Sequence, residues 1–343
     1  MEFRAPDEHR AEERGWRVVS AAYDARTPVR RPQRVRAAVM VAAVAAIAAI
    51  GVTPPGRAVV HRVRAAIGVA NADRALYSLP TSGRVLAGGW VVNADGSTRR
   101  LGDYDESSWS PFGRYVVAAK GDRLVALTAN GDVRWQLGRP VVGLPRWGGT
   151  QTDTRIAYFS GQRLHVVAGD GTGDRDLGLM ARVAPAWRPG SPFTLAYADR
   201  HGRVWVVRTD TGRAVFHTQP GRQPRKLLWL GDRLVVVGPT WIETYAGADH
   251  VDVTRGRFVD AAVVGGRLAV LSTHRVTLDG RTLFSTTGRL GQIVASPDGR
   301  WLLVTWPEAD QWLFVPVHGG RVRAVGNIAR QLDGTFAVDG WTS

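Results

Sequence analysis

Short apolar segments alternate with turn-forming residues along most of the chain. From about Leu76 onward, runs with period-two alternation are separated by Gly, Asp, Asn and Pro, a pattern that predicts β-strands joined by tight turns. One such segment, SPDGRWLLVTWPEADQWLFVPVHGG from Ser296, contains a turn, a strand, a polar break, a second strand and a glycine turn. This order indicates a repeated unit, and similar segments begin at Ser107, Leu144, Ala184, Lys226 and Asp260.

Tryptophan marks the same place in four of these copies. Trp109, Trp147, Trp187 and Trp229 are separated by 38, 40 and 42 residues, and the next two steps are about 34 residues, ending near Ala295. Periods of this length with four short strands each are typical of β-propeller blades. A single four-stranded sheet buries neither face alone, whereas blades stacked in a closed ring bury both faces against their neighbours.

The predicted fold is therefore all-β, a β-propeller of about seven four-stranded blades over residues 76–343. A degenerate first copy, YSLPTSGRVLAGGWVVNADGSTRRL, precedes Ser107, and a tail, DGTFAVDGWTS, is left over at the other end. We expect the tail to add a strand to the first blade and close the ring. The repeated Trp, with the turn that follows it, is expected on an inner strand. Six or eight blades remain alternatives, because the first and fifth copies are weak.

The first 75 residues follow a different pattern. Positions 37–52, AAVMVAAVAAIAAIGV, contain no charged side chain; four arginines precede them between positions 30 and 36, and Pro54 follows. With Thr53 the run approaches the length that spans a bilayer as a helix. We predict a transmembrane anchor over 37–53, a cytosolic segment over 1–36 and a linker with a short helix over 54–75. A cleaved signal peptide and a buried helix of a soluble protein are the alternatives.

The arginine distribution predicts the orientation of this anchor. Residues 1–36 contain nine arginines, and residues 56–70 contain three. The positive-inside rule then places the N-terminus in the cytoplasm and the propeller outside the cell membrane. Trp16, Val19 and Tyr23 would share one face of a short amphipathic helix before the anchor. This helix is interpreted either as a solvated or membrane-surface helix or as a docking helix for a cytosolic partner.

The turns of the repeat resemble those of a known family. SPDGRWLLV at Ser296 and SPFGRYVVA at Ser110, with following strands such as GDRLVALTANG, resemble the repeat of propellers related to the periplasmic TolB protein, often called WD40-like. RWGG at Arg146 is a looser copy, and GDVRWQL at Gly131 is also similar to quinoprotein-type repeats. A short helix, an Ala-rich anchor and such a propeller resemble the membrane-tethered propellers of high-GC Gram-positive bacteria. The resemblance implies a fold and a location rather than an activity.

Composition narrows the classes of partner. The formal net charge is +15, and the basic residues are almost all arginine, since Lys120 and Lys226 are the two lysines. A nucleic-acid-binding protein concentrates basic residues in a stripe or tail. Here arginine is scattered along the chain and interleaved with aspartate, so we do not expect a nucleic-acid partner. Cysteine is absent, which excludes disulfides, thiol catalysis and Cys-zinc sites.

Recognisable catalytic motifs are missing from the sequence. G-x-S-x-G, H-E-x-x-H, the Walker loop and G-x-G-x-x-G do not occur. The best metal candidate is GDGTGDRDLG from Gly169, in which Asp170, Asp174 and Asp176 offer oxygen ligands. Its spacing differs from the EF-hand calcium loop, and Asp-Gly favours a hairpin turn. DYDESSW from Asp103 is a second acidic turn, which either is solvated or lines one end of the channel.

The remaining candidate side chains are assigned to structure. We expect His165, His201, His217 and His274 at turns or on the surface, because none has a second ligand at metal spacing. Trp241, Trp306, Trp312 and Trp341 have no repeat position and are interpreted as packing residues. No catalytic, cofactor-binding or metal-binding residue is predicted, and no cofactor is expected.

These observations favour a single-pass, membrane-anchored, non-enzymatic propeller that binds a protein partner or a cell-envelope ligand. In one variant the N-terminal helix relays the state of the outer domain to a cytosolic regulator. One alternative is an enzyme, for example a lactonase- or glycosidase-like propeller with a central metal, which requires three or four carboxylate or His side chains converging on the channel from different blades. The other is a soluble propeller scaffold.

Overall fold

The alternating segments form twenty-eight strands in seven antiparallel sheets within the part of the chain that the structure describes. This computed structural model describes residues 78–334 and 336–343. The predicted cytosolic segment, anchor and linker (1–36, 37–53 and 54–75) lie outside the described residues. Across 78–334 and 336–343, no helix has the length and apolar character needed to cross a bilayer.

Each sheet is one blade of a β-propeller, with strand order following the chain from the channel outward. Blade 1 contains β1 (Arg84–Ala87), β2 (Trp90–Val92) and β3 (Thr98–Arg100), and its innermost strand is β28 (Gly340–Thr342). Blade 2 contains β4 (Glu106–Trp109), β5 (Tyr115–Lys120), β6 (Arg123–Thr128) and β7 (Val133–Gly138). Blade 3 contains β8 (Val142–Gly149), β9 (Thr154–Ser160), β10 (Arg163–Ala168) and β11 (Arg175–Leu179). Blade 4 contains β12 (Ala186–Trp187), β13 (Thr194–Ala198), β14 (Val204–Arg208) and β15 (Ala214–His217).

The other three blades have the same strand order. Blade 5 contains β16 (Lys226–Leu230), β17 (Arg233–Val237), β18 (Trp241–Ala246) and β19 (Asp249–Arg255). Blade 6 contains β20 (Asp260–Val264), β21 (Arg267–Ser272), β22 (Arg275–Leu278) and β23 (Arg281–Ser285). Blade 7 contains β24 (Ile293–Ala295), β25 (Trp301–Trp306), β26 (Gln311–Pro316) and β27 (Arg323–Gly326). A 3-10 turn (Pro307–Ala309) joins β25 to β26, and a short helix, α1 (Ile328–Gln331), follows β27.

The C-terminal strand closes the ring. β28 pairs antiparallel with β1, with Trp341 opposite Val85, and the innermost strands of neighbouring blades contact one another around the circle. Gly83, with φ +116°, permits this closure, because a Cβ there would lie 2.3 Å from the Thr342 carbonyl oxygen. The prediction of about seven four-stranded blades, completed by the tail, is confirmed.

The Ser-Pro-x-Gly motifs form equivalent turns between the first and second strands of a blade. The Ser110 hydroxyl accepts a hydrogen bond from the Tyr115 N–H at 3.0 Å, and the Ser296 hydroxyl accepts one from the Trp301 N–H at 2.9 Å. Each serine therefore fixes the start of the second strand five residues later. This repeated turn is why the two copies could be aligned from the sequence.

A hydrophobic layer fills each of the seven spaces between blades. Between blades 6 and 7, for example, Ala269 and Leu271 belong to the same buried cluster as Leu302 and Val304, and all four are inaccessible to solvent. Equivalent clusters lie at the other junctions. Full burial of a Val or Leu side chain contributes about 1.5–3 kcal/mol. Each blade is therefore stabilised chiefly by its two neighbours, as the repeat pattern predicted.

The repeat tryptophans lie on the inner strands, as predicted, and two of the four donate a hydrogen bond to the preceding blade. The Trp187 indole N–H donates to the Arg146 carbonyl at 2.9 Å, and that of Trp229 donates to the Ala186 carbonyl at 3.0 Å. Trp341 was interpreted as a residue without a repeat position, and this was wrong. It occupies on β28 the place that Trp109 occupies on β4, and it was missed because closure separates β28 from the rest of its blade.

Two faces of the ring are distinguished below. The upper face is the one at which the innermost strands begin, and the lower face is the one at which they end. Leu79 lies at the lower face, where its N–H donates to the Ala94 carbonyl at 2.8 Å. The described chain therefore enters the propeller on the side opposite the upper-face loops.

Candidate functional site

Polar residues gather where the innermost strands begin, at the upper end of the channel. Glu106, Lys226 and Asp260 are the first residues of β4, β16 and β20, and Gln292 directly precedes β24. Asp339 directly precedes β28. We call these five residues the channel mouth. Because they stand at the same level of adjacent strands, their side chains reach from one blade to the next.

The contacts from blade 5 to blade 1 form a continuous series. Lys226 Nζ lies 2.6 Å from Asp260 Oδ1, which joins blade 5 to blade 6. Asp260 Oδ2 accepts a hydrogen bond from the Ile293 N–H at 3.0 Å, joining blade 6 to blade 7. Gln292 Oε1 accepts one from the Val338 N–H at 2.9 Å. One carboxylate thus connects three blades.

The series continues into blades 2 and 3. The Ser107 hydroxyl donates to Asp339 Oδ2 at 2.6 Å, and the Gly88 N–H donates to the same oxygen at 3.0 Å. The Glu106 carboxylate accepts a hydrogen bond from the Leu144 N–H of blade 3. The two remaining junctions carry the indole hydrogen bonds of blades 4 and 5. Every junction of the ring therefore has a polar contact between inner strands in addition to its apolar layer.

Arg146 on β8 adds a cation inside this mouth. Protein surrounds the side chain, although part of its surface stays exposed because it faces the channel. Its guanidinium donates to the Pro145 carbonyl at 2.8 Å and forms no ion pair within 4 Å with a described residue. Burial lowers the pKa of Arg146, and the carboxylates of Asp339, Glu106 and Asp260 oppose this shift.

Asp339 is the most perturbed carboxyl of the mouth. Burial raises its pKa from 3.8 to about 6, and the Glu106 carboxylate adds to this rise. The hydrogen bonds from Ser107 and Gly88, together with the positive charge of Arg146, act in the opposite direction. The charged form is penalised because little water reaches it. Asp339 therefore takes up a proton as the pH falls through about 6.

The channel mouth assembles part of what the enzyme alternative requires. It brings together three carboxylates from blades 1, 2 and 6, with Lys226 and the neighbouring Arg146 as cations, and it contains no histidine. Within residues 78–334 and 336–343, no group of three or more His, Asp and Glu side chains is placed to hold a metal ion. The histidine–carboxylate contact among these residues joins His165 Nδ1 to Asp174 Oδ2 at 3.5 Å, on the outer half of blade 3.

The acidic segment from Gly169 forms the turn between β10 and β11, and its three aspartates have separate partners. Asp170 accepts from the Thr172 N–H and hydroxyl within the turn. Asp174 accepts from the Tyr158 hydroxyl at 2.8 Å and from Arg139 at 2.6 Å. Asp176 pairs with Arg163. The hairpin interpretation is confirmed, and the three carboxylates do not converge.

Histidine placement differs from the sequence expectation at one position. His201 and His274 are exposed in upper-face turns, as expected. His165 is wrongly assigned, because it lies within β10, its side chain is only 12% exposed, and its ring stacks on Tyr158 at 5.3 Å. Its partner Asp174 lies at the end of the turn before β11, nine residues later, so sequence spacing gave no signal of the contact.

The second acidic turn, DYDESSW, is solvated at its start and lines one end of the channel at Glu106. Asp103 and Asp105 are exposed, and Asp103 pairs with Lys120. Glu106, three residues later, belongs to the channel mouth. A signal for the mouth was present in the sequence, because Glu106, Lys226, Asp260 and Gln292 each stand three residues before the repeat position occupied by Trp109, Trp229, Val263 and Ala295.

Comparison with known proteins identifies the fold. No family model matches the chain, and no curated protein matches it. The C-terminal WD40 domain of Sif2 superposes with a TM-score of 0.53 at 12% identity, covering 78% of this chain and 84% of that one. BBS1N, solved in complex with ARL6DN, gives 0.52 at 14% identity, covering 68% and 91%. Virginiamycin B lyase from Staphylococcus aureus gives 0.50 at 13% identity, covering 65% and 83%. The chain is thus similar to WD40 and other β-propeller proteins in fold alone.

Proposed function

We propose that this chain is a membrane-anchored, non-enzymatic propeller that binds a protein partner on the extracytoplasmic side. The observation that carries the proposal is the channel mouth, whose carboxylates bind the next blade at successive junctions. Groups used in this way hold the ring closed and rigid. Recognition is then left to the loops of the faces, which is how a rigid scaffold with variable loops usually binds.

The location rests on the apolar run at 37–53 and on the arginine distribution around it. The TolB-related, WD40-like repeat of membrane-tethered propellers in high-GC Gram-positive bacteria fits this arrangement. A protein partner is supported by the fold similarity to BBS1N, which was solved in a complex with another protein. A cell-envelope ligand is the alternative binding partner of the same loops. The segment 1–36 is the part of the chain that would contact a cytosolic regulator.

Cell fractionation tests the location. Full-length protein with an N-terminal epitope should stay with the membrane after a carbonate wash, because a hydrophobic helix is retained by the bilayer. Protease added to intact protoplasts should remove the propeller and leave the epitope protected. Recovery of full-length protein in the soluble fraction would instead support the soluble scaffold.

Chemical cross-linking on intact cells tests the binding role. The full-length chain should capture the same surface protein whether or not residues 2–25 are deleted, because the five arginines at positions 26–36 remain to orient the anchor. A cytosolic regulator should be captured through the full-length chain and lost from the deletion variant. Absence of any cross-linked protein at the surface would contradict the proposed function.

A second candidate function is an enzyme that acts in the channel. It is favoured by the raised pKa of Asp339, about 6, beside the Arg146 guanidinium, which forms no ion pair with a described residue, since perturbed groups often mark active sites. The fold similarity to a lyase is compatible with it. An activity screen that is lost in Asp339→Asn but kept in Asp103→Asn, an exposed carboxylate outside the mouth, would establish this candidate in place of the first.

A further inference from the structure

Arginines that are scattered in the sequence gather on one part of the upper face. The upper-face loops and strand ends of blades 4, 5 and 6 carry seven exposed arginines: Arg200, Arg222, Arg225, Arg255, Arg257, Arg275 and Arg289. We call them the basic arc. None of the seven forms an ion pair with a residue in the described part of the chain.

Hydrogen bonds between neighbouring loops hold the arc together. Gln223 Nε2 donates to the Arg200 carbonyl at 2.7 Å, which joins the first two loops of the arc. Arg225 Nη1 donates to the Phe258 carbonyl at 3.5 Å, which reaches the loop between blades 5 and 6. The Leu290 N–H donates to the Thr273 carbonyl at 2.8 Å, which joins the two loops of blade 6. The arc is therefore a fixed surface and not a set of independent tails.

Three acidic side chains near the arc already accept hydrogen bonds or form an ion pair within the protein. Asp199 accepts hydrogen bonds from the Trp205 indole at 3.1 Å and from the His201 N–H at 2.8 Å. Asp260 is bound to Lys226 in the channel mouth. Glu308 stands at one end of the arc and accepts from the Arg289 N–H at 3.0 Å. No described carboxylate lies within ion-pair distance of the seven guanidinium groups, so their charge is not neutralised by direct pairs.

The opposite side of the upper face is different. There Lys120 pairs with Asp103, and Arg100 Nη1 lies 3.1 Å from Asp333 Oδ2. Asp122 lies within 4.0 Å of Arg123. The upper face is therefore divided into a charge-balanced side and a basic side, which gives an approaching partner a preferred orientation.

We propose that the basic arc binds an acidic polypeptide segment, rich in Asp and Glu, of the protein partner. The inference rests on the proposed function and specifies the partner's chemistry. The guanidinium fork matches a carboxylate with two parallel hydrogen bonds. Uncompensated charge spread over three blades steers such a segment onto the surface and accelerates its association.

The surroundings of the arc favour a polypeptide over a single-stranded nucleic acid. Single-stranded nucleic acids are bound by stacking bases on exposed aromatic rings. Among the described residues the exposed large aromatics, Phe112 and Tyr115, lie at the lower face, away from the arc.

The test measures binding of a fluorescein-labelled decaglutamate peptide to the full-length chain by fluorescence polarisation at low salt. Arg222→Glu/Arg257→Glu should weaken binding about tenfold, because two attractive charges become repulsive. The matched control is Arg213→Glu/Arg233→Glu, which makes the same charge change in blades 4 and 5 at the lower face, on exposed arginines without ion-pair partners. The control should retain wild-type affinity within about twofold.

Three results would overturn the basic arc as the binding site. One is equal weakening in both double variants, which indicates general charge attraction. Another is undetectable binding of decaglutamate by the wild-type chain. The third is tighter binding of a polyphosphate or of phosphatidylglycerol vesicles than of decaglutamate, which assigns the arc to a different polyanion. Thermal unfolding of each variant checks that the fold is retained.

Surface cross-linking separates failure of this inference from failure of the proposed function. If Arg222→Glu/Arg257→Glu captures the cell-surface partner as well as the wild-type chain does, the arc is not the docking site and the binding function stands. If the variant loses the partner while Arg213→Glu/Arg233→Glu keeps it, the arc is the docking site. If no chain captures a partner, both proposals are wrong.

Discussion

At the scale of single residues, the protonation of Asp339 makes the stability of the fold depend on pH. In the unfolded chain its carboxyl ionises near 3.8, whereas burial in the folded protein raises its pKa to about 6. Between these two values the folded protein holds a proton that the unfolded chain has lost. By linkage, the contribution of Asp339 to stability is greatest below about pH 4 and falls as the pH rises through about 6.

Asp339→Asn should remove this dependence, because the amide keeps an acceptor for Ser107 but does not ionise. A rise of about two pKa units corresponds to about 3 kcal/mol. Urea denaturation from about pH 4 to about pH 7 should therefore show the wild-type unfolding free energy falling, relative to the variant, by up to about 3 kcal/mol. Parallel curves for the two proteins would contradict the assignment.

Other aspartates do not obscure this window. Hydrogen bonds from Ser97 lower the pKa of Asp95, and the contact with Arg208 lowers that of Asp210 to about 2. A lowered pKa gives stability that is present above about 3.8 and is lost as the pH falls further. Their effect has the opposite sign and lies at lower pH, so it is separable from that of Asp339.

At the scale of elements, an ion pair joins β16 to β20 at the channel mouth, in addition to the apolar layer between blades 5 and 6. Lys226 is 33% exposed and Asp260 is 13% exposed, so the pair is only partly screened by solvent. A double-mutant cycle with Lys226→Met and Asp260→Asn should give a coupling free energy of about 1–2 kcal/mol by urea denaturation. The Ile293 N–H keeps an acceptor in Asp260→Asn, which protects the neighbouring junction.

Arg267 and Asp279 supply the control for this cycle. Their side chains are also 2.6 Å apart, but they are 40% and 49% exposed and lie within blade 6. Their coupling should stay below about 1 kcal/mol, as is usual for exposed pairs. Equal coupling in the two cycles would mean that the channel-mouth pair has no special part in joining the blades.

The elements that could be predicted are those that repeat. The turns at Ser110 and Ser296 share one hydrogen-bond pattern, and the tryptophans share one place on the inner strand, so each copy supported the others. The channel mouth could not be predicted in the same way, because its junctions use an ion pair, carboxylate–amide contacts and a hydroxyl–carboxylate contact instead of one repeated pair. Asp339 also stands one position away from the register of Glu106 and Lys226. The basic arc depends on the curvature that brings loops of three blades together.

At the scale of the whole molecule, one short strand, β28, closes the ring of blades. This strand supplies the inner edge of blade 1, and Trp341 packs against Phe314 of blade 7 with ring centroids 5.7 Å apart. Gly340 also lies against Trp109 of blade 2, because a Cβ at position 340 would come within 3.3 Å of the indole ring. Three blades thus depend on one three-residue strand.

Truncation after Val338 should therefore open the ring. We expect hydrogen exchange to show loss of amide protection in β1 and β4, which lie beside the missing strand, before the distant blades 4 and 5 are affected. Retained protection of β1 in the truncated chain would show that β28 does not close the ring.

Trp341→Ala, which keeps the backbone of β28, should lower the free energy of unfolding by about 3–5 kcal/mol. The control is Phe112→Ala, at a side chain that is 43% exposed, which should lower it by less than about 1 kcal/mol.

The pairing of β1 with β28 also affects folding during synthesis. About 250 residues separate the two strands, so their contact is among the most non-local in the chain, and such topologies fold slowly. Synthesis proceeds at about 5–20 residues per second, so β1 is without its partner strand for roughly 12–50 s while the intervening residues are made. During that interval an apolar strand edge is open to other nascent chains, and a chaperone that shields it would raise the yield of folded protein more than one acting after release.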